Sequence, residues 1–187
     1  TPTPEPSPTP TPEPTPTPRT AVLTTEYLVD EGAGLSALDT IGGNYLNLFG
    51  TSWVPGCHGT ALEFFGNSGS YAEASGSVVD GGSVSFYYYI PSSIQPQGAG
   101  YFFDHGPLGA FTSGGIGWVI RGNSIATSKL SEVWTHFVGT YDGNYSRIYS
   151  NGILVRSEAC TPEPNNPCPI LLGTYLNTAL RLGKTLG

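Results

Sequence analysis

Asp104 and His105 stand side by side in the run Phe102-Phe103-Asp104-His105-Gly106, an adjacency that could read as acid–base chemistry. Successive side chains of a strand point to opposite faces, so such neighbours are badly placed to share a proton. The other histidines are His58 and His136, and no two of the three have the spacing of a metal-binding pair. Tyr87, Tyr89 and Trp118 offer a different chemistry. A flat ring can meet the C–H face of a pyranose while neighbouring hydroxyls and amides fix its orientation. The same residue types are also good formers of half-buried strands, and both readings stay open here. Asn144-Tyr145-Ser146 is an N-glycosylation sequon placed at a turn.

These residues need elements to position them, and the stretch Trp134 to Val155, WTHFVGTYDGNYSRIYSNGILV, supplies the clearest ones. Asp142-Gly143 and Asn151-Gly152 accept the positive φ of tight turns, and β-branched and aromatic runs flank both. The spacing predicts three antiparallel strands joined by two hairpins. In Ser83 to Pro91 a period of two puts Val84, Phe86, Tyr88 and Ile90 on a core face. Ser83, Ser85, Tyr87 and Tyr89 fall on the opposite one. Ala21 to Val29 reads as a first strand. No long window shows a 3.6-residue apolar period, so the expected class is all-β without a long helix.

The Trp134–Val155 series resembles the penultimate strands of the laminin-G-like, concanavalin-A-like jelly rolls. Tyr27-Leu28-Val29-Asp30-Glu31-Gly32, Asp39-Thr40-Ile41-Gly42-Gly43-Asn44 and the Trp53 to Phe64 run are similar to further motifs of that family, in the same order. Ala179 to Lys184 resembles its L-x-I-G-[KR] strand. The resemblance implies a two-sheet antiparallel jelly-roll sandwich and an extracellular binding module. It also makes His136 a packed, hydrogen-bonded imidazole, and it leads one to expect a further closing strand beyond Gly187, from this chain or another.

The fold is shared with glycoside hydrolases, which need two carboxyl groups about 5 Å or about 6.5–9.5 Å apart across one cleft. The E-x-D-x-E strand of laminarinase-like relatives has no counterpart here. Glu26, Asp30, Glu31, Asp39, Glu63, Glu73, Asp80, Asp104, Glu132 and Asp142 are scattered, mostly beside turn glycines, and read as solvated structural acids. Calcium is the metal the resemblance implies, held by six to eight oxygens. The family's F-D-G-x-x-D-Y loop has lost both acids in Phe64 to Tyr71, which leaves Asp30, Asp39 and Asn44 as the calcium candidates.

Composition bounds the rest. At 187 residues the chain suits one domain, residues 21–187, plus an appendage, residues 1–20. Pro occupies every even position from 2 to 18, so the arm is expected to be polyproline II, about 3.1 Å per residue. Its Thr1, Thr3, Thr9, Thr11, Thr15 and Thr17 have the composition of O-glycosylated stalks. A chain opening inside a TPTP repeat is expected to be processed or part of something longer. Cys160 and Cys168 bracket a Pro/Asn-rich loop and are expected to pair as a disulfide, leaving Cys57 over. A net charge of −7 opposes nucleic acid as a partner. No apolar stretch approaches the ~20 residues of a membrane helix. The sequence therefore reads as an extracellular or cell-surface, non-catalytic module whose partners are glycans or further copies of itself. The alternatives are a filament subunit and an accessory module of a larger glycoside hydrolase.

Overall fold

The computed structural model describes residues 22–65, 69–75, 82–91, 100–105, 108–112, 116–120, 123–128, 132–159 and 179–182. Among the described residues there is no helix. The strands are β1 (Ser36–Leu38), β2 (Tyr45–Phe49), β3 (Thr51–Pro55), β4 (Thr60–Phe64), β5 (Tyr71–Ser75), β6 (Ser83–Tyr88), β7 (Gly100–His105), β8 (Leu108–Thr112), β9 (Ile116–Ile120), β10 (Asn123–Thr127), β11 (Thr135–Tyr141), β12 (Tyr145–Ser150), β13 (Ile153–Ala159) and β14 (Ala179–Leu182). Eight of them form one sheet in the order β1-β2-β5-β14-β7-β8-β9-β10, four form a second in the order β13-β12-β11-β6, and β3 and β4 pair as a separate hairpin. Every pairing is antiparallel.

Alternation along the strands decides which side chains close the two layers. Tyr88, Phe137 and Ile148 of the four-stranded sheet meet Ile116, Trp118 and Ile125 of β9 and β10. At the far end of the larger sheet, Leu46, Leu48, Ala72 and Ala74 pack with Trp53, Leu62 and Phe64 of the β3–β4 hairpin. Each Leu, Ile or Phe buried this way contributes roughly 1.5–3 kcal/mol, which is ample to hold the layers together. The result is a two-layer antiparallel β-sandwich of jelly-roll type.

Both predicted hairpins form. β11 and β12 turn through Asp142–Asn144, with Gly143 at φ 101°, and β12 and β13 turn through Asn151 and Gly152, at φ 50° and 79°. Two successive positive φ values define a type I′ turn, whose twist matches that of the strands. The Ala179–Leu182 strand also forms, between β5 and β7.

Two expectations are corrected. Residues 22–30 do not form a strand but make a single bridge, Tyr27 to Asp39. Val29 sits at φ 60°, where a β-branched residue breaks an extended run. Trp118 does not lie on a surface. It is fully buried, and the missing Cβ of Gly139 makes its space: a methyl there would stand 2.5 Å from the indole. The arm with Thr1, Thr3, Thr9, Thr11, Thr15 and Thr17, and the loop with Cys160 and Cys168, lie outside the described residues.

Candidate functional site

The outer face of the four-stranded sheet gathers most of the aromatic residues predicted to be functional. β6 and β11 run antiparallel with Tyr87 opposite His136 and Thr135 opposite Tyr88. Alternation then sends Tyr87, Tyr89, Trp134 and His136 outward together. Tyr87 and Tyr89 are 50% and 42% exposed, as a ligand face requires, while Val84, Phe86, Tyr88 and Ile90 point inward as expected.

The rings form two tiers. In the first, Tyr87 stacks on His136 with centroids 4.6 Å apart and planes 23° from parallel. In the second, Tyr89 leans on Trp134 at 5.6 Å and 46°. Hydrogen bonds fix the first tier: the Ser85 hydroxyl lies 2.7 Å from His136 Nε2, and the His136 N–H donates to Asn151 Oδ1 at 2.9 Å. The His136 carbonyl in turn accepts from the Asn151 N–H, so the turn after β12 is tied to the imidazole's own backbone.

A third contribution comes from the β3–β4 turn. His58 meets the Tyr87 ring edge-on at 5.8 Å. Its turn is closed by the Gly56 N–H donating to the Gly59 carbonyl, and Gly59 at φ 61° rests against the Asp30 carboxylate. The Thr60 hydroxyl donates to the Val29 carbonyl at 2.6 Å, which anchors the Asp30 segment beside the turn. Tyr87 is thus held by imidazoles from two separate elements. The surface that results is a ledge of tilted rings bordered by a hydroxyl, an amide and two imidazoles, the groups that suit a ligand with both C–H faces and hydroxyls.

The opposite end of this face is charged but internally neutralised. Arg147 Nη1 donates to Asp142 Oδ2 at 2.5 Å and its guanidinium lies 4.8 Å over the Tyr145 ring. Desolvation raises the Asp142 carboxyl, but hydrogen bonds from Arg147, Asn144 and Tyr145 outweigh it and bring it down to about 2. Asn144 is exposed at this turn. The Ser146 hydroxyl of its sequon is buried beneath the sheet with no hydrogen-bond partner among the described residues, so the folded hairpin presents the asparagine and hides the serine.

The calcium candidates do not fit as a set. Asp39 and Asn44 do meet, but Asp39 is 1% exposed and its carboxylate is already occupied. Its Oδ1 accepts from the N–H of Glu26 at 2.9 Å and of Ile41 at 3.1 Å, and the Gly42 N–H and Asn44 amide add to these. Burial pushes this carboxyl up, and the four donors more than reverse it, so it sits below the usual value. Donors aimed at a carboxylate leave a cation little to bind. Asp30, exposed against Gly59, has different neighbours. Among the described residues no three His, Cys, Asp or Glu side chains converge as metal ligands. Asp39 is a structural anchor that also raises the Tyr27 hydroxyl's pKa, second to burial of the phenol itself.

Of the three rings read from sequence as a platform, Tyr87 and Tyr89 do share the outward face and Trp118 lies in the core, while Trp134 and His58, which meet the two tyrosines, were not singled out with them. Trp134 was findable. It alternates with His136, and β6 and β11 pair so that two outward rings on one face two on the other.

No protein-family model matches the chain, and no curated protein matches it. Solved structures do. Domain 4 of AbnA, a GH43 extracellular arabinanase from Geobacillus stearothermophilus, in complex with arabinotriose, aligns with a TM-score of 0.58 and 18% identity over 88% of this chain and 84% of that one. The binding domain of Paraclostridial Mosquitocidal Protein 1 aligns with a TM-score of 0.55 and 17% identity over 70% of this chain. The matched region spans 41% of that longer structure. At these identities the likeness is one of fold, and it places the chain among β-sandwich domains.

Proposed function

We propose that this chain is a non-catalytic, laminin-G-like carbohydrate-binding module that works outside the cell, held on its Pro/Thr stalk. The observation that carries this is the ring ledge: Tyr87, Tyr89, Trp134 and His136 stand outward in two tiers on a rigid sheet, with His58 beside them. Rings left half exposed add little to folding, so their concentration on one face points to a ligand. The outward positions of β6, β11 and β12 hold no Asp or Glu, which favours binding over glycosidic hydrolysis. The AbnA domain, captured with arabinotriose and belonging to an extracellular enzyme, supports both the sugar and the compartment. That likeness also favours a second reading, in which the module is the accessory domain of a larger glycoside hydrolase.

Native electrophoresis through gels containing arabinan, laminarin or galactan tests the proposal. Retardation by at least one of these neutral polysaccharides is expected. Tyr87→Ala and Trp134→Ala each remove a ring contact of ~1 kcal/mol, so each should weaken binding about fivefold. Unretarded migration in all three gels would sink the reading.

A further inference from the structure

The eight-stranded sheet carries a second ring-lined surface on the opposite side of the sandwich. On β2 the burial pattern alternates strictly: Leu46 and Leu48 enter the core while Tyr45, Asn47 and Phe49 face out. Tyr45 is 59% and Phe49 43% exposed. Strand pairing places Leu38 beside Tyr45, Glu73 beside Asn47 and Tyr71 beside Phe49. Phe49 and Tyr71 stack with centroids 4.7 Å apart and planes at 21°, nearly the geometry of Tyr87 on His136.

We propose that this face, Tyr45-Asn47-Phe49 on β2 with Tyr71 on β5, is a second glycan-binding site, which makes the module bivalent. Three considerations support it. Tyr45 and Phe49 lie four residues apart on one strand, about 13 Å, with an amide between them. Ring, amide, ring along an extended backbone matches a short stretch of polysaccharide lying parallel to β2. The strands beneath are rigid, because the reverse side of β2 and β5 is core. Tyr45, Phe49 and Tyr71 are gathered on one outward face rather than scattered, and a contiguous exposed apolar patch marks a binding surface. The chain's net charge of −7 disfavours uronic acids and sulfated sugars. The ligand class is therefore a neutral polysaccharide. With sites on both outer faces, one module can hold two chains, or two stretches of one, and gain avidity without new contacts.

The ligand class rests on the function proposed above, and the test separates the two. The whole chain, Tyr87→Ala, the double variant Tyr45→Ala/Phe49→Ala and the triple variant are run in arabinan, laminarin and galactan gels, and turbidity is followed when each is mixed with the soluble polysaccharide. Bivalence predicts that Tyr87→Ala and the double variant each keep part of the retardation, weakened about fivefold or more. The triple variant should lose it, and only the unaltered chain should cross-link polysaccharide into turbid complexes. Thermal melts should show all variants folded, since every altered ring is exposed. If the double variant retards and cross-links like the unaltered chain, the second site is overturned while the first stands. If Tyr87→Ala is silent and the double variant abolishes binding, the first site falls and this one stands. No retardation by any gel overturns both. A dimer that Tyr45→Ala/Phe49→Ala converts to monomer, with retardation unchanged, would make the face a protein contact and overturn the proposal.

Discussion

Asp39 shows how one buried charge can be structural rather than functional. Four N–H donors converge on it from Glu26, Ile41, Gly42 and Asn44, tying residues 22–30 to the turn between β1 and β2. Asp39→Ala should destabilise the fold by roughly 3 kcal/mol, because it strands buried donors and removes charge-assisted hydrogen bonds. A chemical-denaturation midpoint that does not move would refute this anchoring role. From sequence, Asp39 and Asn44 in a Gly-rich loop resemble metal ligands equally well, since side-chain oxygens serve either purpose. What the sequence does not carry is where the neighbouring N–H groups point. The contrast with Tyr87 is instructive: its outward direction follows from period-two alternation, a backbone property that local sequence does encode. Trp118 obeys the same alternation, but nothing near it in sequence says which of its two faces is covered. That is decided by Gly139, on a strand of the other sheet.

At the level of elements, the legible parts were those fixed by turn chemistry. Asn151-Gly152 takes a type I′ turn because both positions tolerate positive φ, and the register of β12 and β13 follows from it. Asp142 adds side-chain bonds to the N–H groups of Asn144 and Tyr145, at 2.9 and 2.8 Å, which closes the other hairpin. The Ala21–Val29 reading failed over residues 22–29 because the apolar run ends in a left-handed Val29 and, among the described residues, pairs only through the Tyr27–Asp39 bridge. Long-range pairing decided that case. The fit of sheet on sheet makes a sharper prediction. Gly139 lets β11 approach the Trp118 indole, so Gly139→Ala should overpack the core and lower stability by about 1–3 kcal/mol. Adding Trp118→Phe should recover part of that loss, since the two sites share one contact. Independent, additive losses in a double-mutant cycle would show that the strain lies elsewhere.

On the scale of the whole molecule, ionisation sets a window for the fold. Asp142 sits at about 2 against an ordinary 3.8, and Asp39 is also depressed, so both contribute stability above pH ~3.8. The Asp142 share is lost as pH falls from 3.8 towards 2, and the Asp39 share as pH falls below 3.8, because the unfolded chain takes up protons first. Tyr27 works in the other direction. Burial and the Asp39 charge raise its hydroxyl above 10.0, so its share is intact below that value and is lost as pH rises beyond it. Melting temperature should therefore fall off on both sides of a broad plateau between these limits. The side chain of Asp142 is 46% exposed, so solvent screens its ion pair with Arg147 and its share of the acid limb is small. Asp39, which is buried and also depressed, contributes to the same limb. Asp39→Asn should accordingly lower the plateau and flatten the fall below pH 3.8, whereas Asp142→Asn should change the acid limb only slightly. Melting curves of the three proteins between pH 2 and pH 7 decide the matter. An acid limb of unchanged steepness in Asp39→Asn would assign the acid sensitivity to other carboxylates and remove Asp39 from the groups that set it.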